Sequence, residues 1–144
     1  MTTATDTRPI ENLIAEYAEL VDTGDLAGMG RLFTEGVFIG SDGTRHEGSE
    51  AVEKMLRDRT IVHGDGTLRT HHVTTNIRIE VDEETDTATG RSYLTIFQEA
   101  AGLPLQPIAA GRYRDRFVRR DGTWRFAERR IHIHLVGDTS YHMS

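Results

Sequence analysis

The sequence predicts an α+β domain, with helices gathered on one face of a curved antiparallel sheet. Three observations carry that reading. Apolar residues recur with a helical period in the N-terminal part of the chain, and every second residue after residue 66. Helical and extended patterns are segregated along the chain rather than alternating, which is the signature of helices on one side of an antiparallel sheet. The length, 144 residues, suits one core and leaves no room for a second, so residues 1–144 are expected to form a single domain.

Each element follows in order. Ile10, Leu13, Ile14, Tyr17, Ala18 and Val21 make one apolar stripe on a helix. Pro9 suits the first helical turn, where a missing N–H is harmless, and Thr7 stands where it can cap. Asp22-Thr23-Gly24-Asp25 stops this helix and opens a shorter one, with Leu26, Met29, Leu32 and Phe33 on one side. Gly28 and Gly30 weaken that second helix, so packing must hold it. A third helix starting at Ser49 turns Val52, Met55 and Leu56 inward. Between the second and third, Val37, Phe38 and Ile39 read as a short strand that turns at Asp42-Gly43.

Segments 68–81, 87–98, 108–120 and 123–136 then read as four long strands. Residues 82–86 and Asp121-Gly122 are the turns of two hairpins. Segment 100–107, with Gly102, Pro104 and Pro107, is expected to be an exposed loop. A sheet this long, wrapped around three N-terminal helices, forms a cone with one open end and a pocket against its concave face.

Composition narrows the function. Seventeen basic against twenty-three acidic side chains leave a net charge of −6, which argues against nucleic acid and anionic membranes as partners. The absence of cysteine excludes disulfides, thiolate catalysis and sulfur-ligated metals. No apolar run approaches the roughly 20 residues that span a bilayer. The first residues, Met1 to Asp6, lack the basic and apolar regions of a signal peptide, so a cytoplasmic location is expected. Eight arginines lie between Arg112 and Arg130, but alternation is expected to spread them over both faces as solvated or paired groups.

Three groups stand among apolar neighbours and could carry chemistry: Tyr17, Asp22 and His72. A carboxylate beside an imidazole is a minimal general-base unit, because the acid fixes the tautomer and stabilises the imidazolium that forms. A nearby tyrosine hydroxyl can donate to an oxygen that gains charge. Strict alternation gives His72 the parity of Thr70, Thr74 and Asn76, whereas His71 shares that of Val73, Ile77, Ile79 and Val81. A bulge near Thr74-Thr75 would reconcile an inward His72 with the apolar face beyond it; without one, His71 is the inward residue.

The pattern Tyr17-x4-Asp22-x2-Asp25, then Leu32-Phe33-Thr34-Glu35-Gly36-Val37-Phe38, then Thr70-His71-His72-Val73-Thr74-Thr75-Asn76 resembles the SnoaL-like branch of the NTF2-like superfamily. Gly111-Arg112-Tyr113-Arg114-Asp115-Arg116-Phe117, followed by Asp121-Gly122-Thr123-Trp124-Arg125-Phe126, extends the resemblance to about residue 138. It implies an NTF2-like cone, and it is nearest to the scytalone dehydratase, bile-acid 7α-dehydratase and hexachlorocyclohexane dehydrochlorinase types. These are cofactor-free lyases built on an Asp–His dyad. Asp22 falls where their acidic partner lies, His72 where their base lies, and Tyr17 where the bile-acid enzyme has a tyrosine. An ionisable residue on the second long strand of two of them is replaced here by Thr95 or a neighbour.

The resulting expectation is a cofactor-independent lyase of dehydratase type, or an isomerase, acting on a hydrophobic small molecule. His72 removes a proton, Asp22 orients and balances it, and Tyr17 donates a hydrogen bond. Phe33, Met55, Leu56, Asn76, Tyr93, Thr95, Phe97, His132 and His134 are the expected substrate contacts, with His134 the first choice of the two histidines. His132 and His134 share one face of the last strand, and spacing implies no third ligand, so no metal site is expected. The alternatives are a non-catalytic ligand-binding or accessory module, and an epoxide hydrolase using a carboxylate such as Asp115 beside arginines. Ile131, Ile133 and Leu135 oppose Trp124 and Phe126 if alternation is strict, so apolar residues must face outward too. That predicts a homo-oligomer, a dimer ahead of a trimer, with residues 137–144 ordered against the neighbour.

Overall fold

Helix α1 (Arg8–Asp22) buries Ile10, Ile14, Tyr17 and Val21, the stripe that the spacing predicts. Pro9 lies in its first turn, but Thr7 does not cap it: its side chain makes no cap hydrogen bond. Thr7 already has helical dihedrals rather than the extended ones of a capping residue. Asp6 serves the first turn instead, accepting the Arg8 amide at 2.9 Å. Helix α2 (Leu26–Arg31) is short, as its glycines suggest, and Asp25 caps it by accepting the Gly28 amide at 2.8 Å. Helix α3 (Gly48–Arg59) starts one residue before Ser49 and buries Val52 and Leu56. The structure, a computed structural model, describes residues 6–144; residues 1–5, most of the segment read for a signal peptide, lie outside it.

Two short strands, β1 (Val37–Ile39) and β2 (Arg45–Glu47), form a hairpin whose second arm is too short and polar to show as a pattern. Four long strands follow: β3 (Thr70–Asp82), β4 (Thr87–Ala100), β5 (Leu103–Arg120) and β6 (Thr123–Val136). They join into one sheet of order β2-β1-β6-β5-β4-β3, antiparallel except where β1 runs parallel to β6. The sheet is curved and unclosed, and α1 to α3 pack against its concave face: the α+β cone. Tyr17, Phe33, Phe117 and Phe126 meet at the centre of the core, with Phe33 and Phe126 stacked 5.1 Å apart.

The expected loop at 100–107 is instead the start of β5. Ala100 pairs with Leu103 across a tight turn at Ala101-Gly102, where Gly102 has φ +88°. Prolines fit there because β6 pairs with β5 only from Ala109 onward, so the stretch before it is an edge strand paired with β4 on one side alone.

Bulges decide which side chains face inward. In β3, Thr75 pairs with Tyr93 and Arg78 with Arg91, so three steps on one strand match two on its neighbour. The extra residue lies at Asn76-Ile77, slightly beyond Thr74-Thr75, and Asn76 takes φ +54°. Thr70, His72 and Thr74 therefore face inward before it, and Ile79 and Val81 after it. In β6, Glu128 pairs with Arg116 but Phe126 with Phe117, leaving Ala127 extra. Trp124, Phe126, Arg129, Ile131 and Ile133 consequently share the concave face, so strict alternation misplaces Ile131 and Ile133.

The convex face carries a row of arginines in register across four strands. Arg78 pairs with Arg91, Arg91 with Arg114, and Arg114 with Arg130. All four are exposed. One step along lies a row of Glu80, Thr89, Arg116 and Glu128. The arginines of 112–130 thus occupy both faces: Arg112, Arg114, Arg116 and Arg130 lie on this one, whereas Arg119, opposite Trp124, and the buried Arg129 take the concave one. Among the described residues no helix is long and apolar enough to cross a membrane.

Candidate active site

The end of α1 and the start of β3 are joined by Gly24, whose φ of +79° lets the turn lie against Gly66 so closely that a Cβ would sit 2.2 Å from its carbonyl oxygen. That contact sets Asp22 beside Thr70 and His72. Asp22 accepts the Thr70 hydroxyl at 2.7 Å, the His72 backbone amide at 2.9 Å, and the His72 ring through Nδ1 at 2.5 Å. Burial pushes the Asp22 carboxyl up, but the hydrogen bonds and charge of His72, with Thr70, outweigh it and hold the group below the ordinary carboxylate range. An ionised carboxylate only accepts, so Nδ1 carries the ring hydrogen and Nε2 is left as the free base. His71, the fallback, is exposed.

His72 opens into a cavity of about 330 Å³ under the helices. Its apolar walls include Val21, Phe38, Met55, Leu56, Ile96, Ile131 and Ile133, with an Asp42–Arg59 ion pair (3.5 Å) at its edge. Tyr17 lines this cavity, but among the described residues it makes no hydrogen bond to Asp22 or His72. Its ring lies between those of Phe33, Tyr113 and Phe126, with the Arg129 guanidinium 4.2 Å above it. Burial raises its hydroxyl pKa, against the pull of Arg129. Arg129 is itself fully buried and pairs with Asp115 through two bonds, of 2.9 and 3.2 Å. Asp115, the carboxylate considered for epoxide opening, is committed to that pair and does not line the cavity.

Several expected substrate contacts lie elsewhere. Met55 and Leu56 line the cavity, but Phe33 is sealed in the core behind it. Tyr93, Thr95 and Phe97 share a face of β4, and it is the convex one, because Ser92, Leu94, Ile96 and Gln98 take the concave side. Aliphatic side chains fit under the helices; Tyr93 stays 47% exposed, covered by Arg112 at 5.0 Å. Asn76 is spent on the β3 bulge and borders a groove on the outer face. The Ala127 bulge sends His132 outward, and His134, the extra residue of a second bulge, is exposed beside it, their rings stacked 5.7 Å apart. Among the described residues no group of three or more His, Cys, Asp and Glu side chains is placed to hold a metal ion.

The histidine that does share the cavity with His72 is His142, in the C-terminal tail. The tail folds back on its own chain rather than awaiting a neighbour. Gly137 donates to Ile108 at 2.7 Å, Ile61 to the His142 carbonyl at 2.8 Å, and Ser144 to Arg59 at 3.0 Å. The buried Gln98 amide bridges Leu68 and Tyr141, both at 3.0 Å. His142 is 6% exposed, and its ring meets that of His72 edge to face at 5.9 Å. Tail residues 137–144 have no periodicity, so only the histidine itself could have drawn notice.

Burial, with the neighbouring His72 imidazole and a smaller push from His63, lowers the His142 pKa to about 4, although Asp22 draws it the other way. The unfolded chain therefore binds this proton from about pH 6.5 downward and the folded chain only near pH 4. The stability it confers is complete above pH 6.5 and falls across that window by about 3 kcal/mol. Urea midpoints measured from pH 7.5 to 4.5 are expected to fall more steeply in the wild-type protein than in His142→Phe. Parallel curves would show that His142 is protonated without opposition.

The profile of a family described as SnoaL-like domain matches residues 2–130. The sequence has no significant match among curated proteins. Among solved structures, a variant of Rv3472, a protein of unknown function from Mycobacterium tuberculosis, is 30% identical with a TM-score of 0.72, the alignment covering 88% of this chain and 70% of that one. A protein from Novosphingobium aromaticivorans, provisionally described as a scytalone dehydratase, is 26% identical with a TM-score of 0.71, covering 92% and 86%. A protein of unknown function with a cystatin-like fold from Nostoc punctiforme is 25% identical with a TM-score of 0.73, covering 92% and 93%.

Proposed function

The chain belongs to the SnoaL-like domain family of the NTF2-like superfamily, and from that premise we propose that it is a cofactor-independent lyase of dehydratase type, or an isomerase, for an apolar small molecule. One observation carries the reading: the Nδ1 hydrogen bond of His72 to a carboxylate held ionised, with Nε2 left for the cavity. His72 takes a proton from the substrate through Nε2, and Asp22 balances the imidazolium. In an elimination, the same proton then assists the departing group. Tyr17 contributes as a wall, its hydroxyl being drawn toward Tyr113 and Arg129. The aliphatic lining suits an apolar body, and the likeness to a protein described as a scytalone dehydratase supports the choice of reaction class. NMR screening of carbon acids in deuterated water tests this directly. Exchange or elimination catalysed by the wild-type protein and lost in His72→Gln is expected; reaction that persists in the variant removes His72 as the base.

We also propose that the protein assembles as a homo-oligomer through its convex face, with a dimer ahead of a trimer. Val73, Ile77, Tyr93 and Leu135 are between 37% and 60% exposed, a scatter of apolar groups on a sheet face that the helices do not cover. Light scattering at micromolar concentration should give at least twice the chain mass, and Tyr93→Glu should lower it. A monomer mass for the wild-type protein excludes the assembly.

A further inference from the structure

His142 has a ring that the fold buries but does not satisfy. Its Nδ1 is enclosed with no hydrogen-bond partner among the described residues, although a buried ring nitrogen ordinarily finds one. Its backbone is fixed on both sides, through the His142 carbonyl to Ile61 and the Met143 pairing with Thr60, so the ring is presented by a rigid strap. The strap places it on the cavity wall beside His72, with ring centres 5.9 Å apart. One small polar atom of a ligand can lie within reach of both rings. The two rings differ in kind. His72 is backed by a carboxylate through a hydrogen bond, whereas the groups that act on His142 are two further histidines, His72 and His63, and the opposing charge of Asp22.

We propose that His142 is the second polar contact of the site, holding through an imidazole N–H the ligand oxygen that gains negative charge while His72 takes the proton. This rests on the reading of His72 as the base and extends it. When His72 removes a proton from carbon, the electron pair left behind moves onto an adjoining oxygen, and His142 donates a hydrogen bond to that oxygen without giving up its proton. A neutral imidazole suits that task, because it donates without bringing a second positive charge beside the imidazolium of His72. With its pKa near 4, His142 is neutral throughout the neutral range. The substrates implied carry a carbonyl or a similarly polarised oxygen next to the acidic carbon, on an otherwise apolar frame.

The test uses 2-naphthol, whose ionisable hydroxyl on a flat apolar body mimics such an enolate and whose fluorescence reports binding. Wild-type protein at pH 7.5 is expected to bind it. His142→Phe, which keeps the ring volume, should weaken binding about tenfold, the worth of one good hydrogen bond. His142→Gln, which keeps a donor, should recover most of the loss, a rescue that a purely structural role would not give. In the imidazole ¹⁵N spectrum, the His142 signals should shift on saturation with naphthol. Equal affinity in wild type and His142→Phe, no recovery in His142→Gln, or no binding by the wild-type protein overturns the proposal. Because the titration needs no turnover, failure of His72 as a base would appear only in the exchange experiment, and the two results stay separable.

Discussion

Replacing His72 with Ala is expected to lower turnover by about 10²–10⁴-fold, the usual contribution of a positioned general base. The prediction follows from what His72 alone supplies. Its Nδ1 is tied to Asp22, and its Nε2 is the one free base that this pair presents to the cavity. The side chain is also 7% exposed, so truncation to Ala leaves a void and uncovers a carboxylate. His72→Gln separates the two effects: an amide can still donate to Asp22 but cannot accept a proton at neutral pH. Turnover should therefore be lost in both variants, while the fold is better kept in His72→Gln. Asp22→Asn is expected to be nearly as severe, because an amide no longer selects the tautomer with hydrogen on Nδ1. Near-normal turnover in His72→Gln and Asp22→Asn would reduce the pair to a structural hydrogen bond.

Arg129→Ala should be the most damaging single substitution for stability, costing about 3–5 kcal/mol, since it leaves a buried carboxylate without its partner. Asp115 and Arg129 are 3% and 0% exposed, and burial already pushes the Asp115 carboxyl up despite the pull of the guanidinium. Arg129 also packs its plane 3.5 Å from the centre of the Tyr113 ring and 4.2 Å from that of Tyr17, so its loss loosens the cavity wall as well. The double variant Arg129→Met with Asp115→Leu removes both charges and should recover much of the loss, because the pair is worth less than the damage of breaking it. Urea unfolding of the three proteins decides the matter. A change below about 1 kcal/mol in Arg129→Ala would mean that water reaches Asp115.

Periodicity made most of the architecture legible. The α1 stripe, the break between α1 and α2 at residues 22–25 and the whole of β6 stand where spacing puts them. Facing is another matter, because a bulge adds one residue and reverses every side chain beyond it. In β3 the sequence offers a hint, since Asn tolerates the left-handed conformation that Asn76 adopts. In β6 the extra residues are Ala127 and His134, neither of which has such a mark, and so alternation puts His132, His134, Ile131 and Ile133 on the wrong side. On β4 the choice between two apolar faces rests on which one fits beneath helices, a matter of tertiary packing that favours Leu94 and Ile96 over Tyr93 and Phe97. The site was legible where it lies on regular elements, at Asp22, His72, Met55 and Leu56. It was hidden where it lies on the tail, because His142 is placed by backbone hydrogen bonds to residues 59–61 that no local pattern announces.

The row Arg78, Arg91, Arg114 and Arg130 bears on how two copies could meet. Like charges directly opposite one another repel, and a two-fold axis laid along this row would stack each set of guanidinium groups on its own image. An axis displaced by half a step would bring the row over Glu80 and Glu128 of the other copy instead. Apolar contact has no such preference for position along the strands. Ionic strength should therefore act on the alignment of a dimer as much as on its affinity: at low salt only the offset arrangement is tolerated, and once screening shortens the reach of the charges to about 8 Å, neighbouring alignments become accessible.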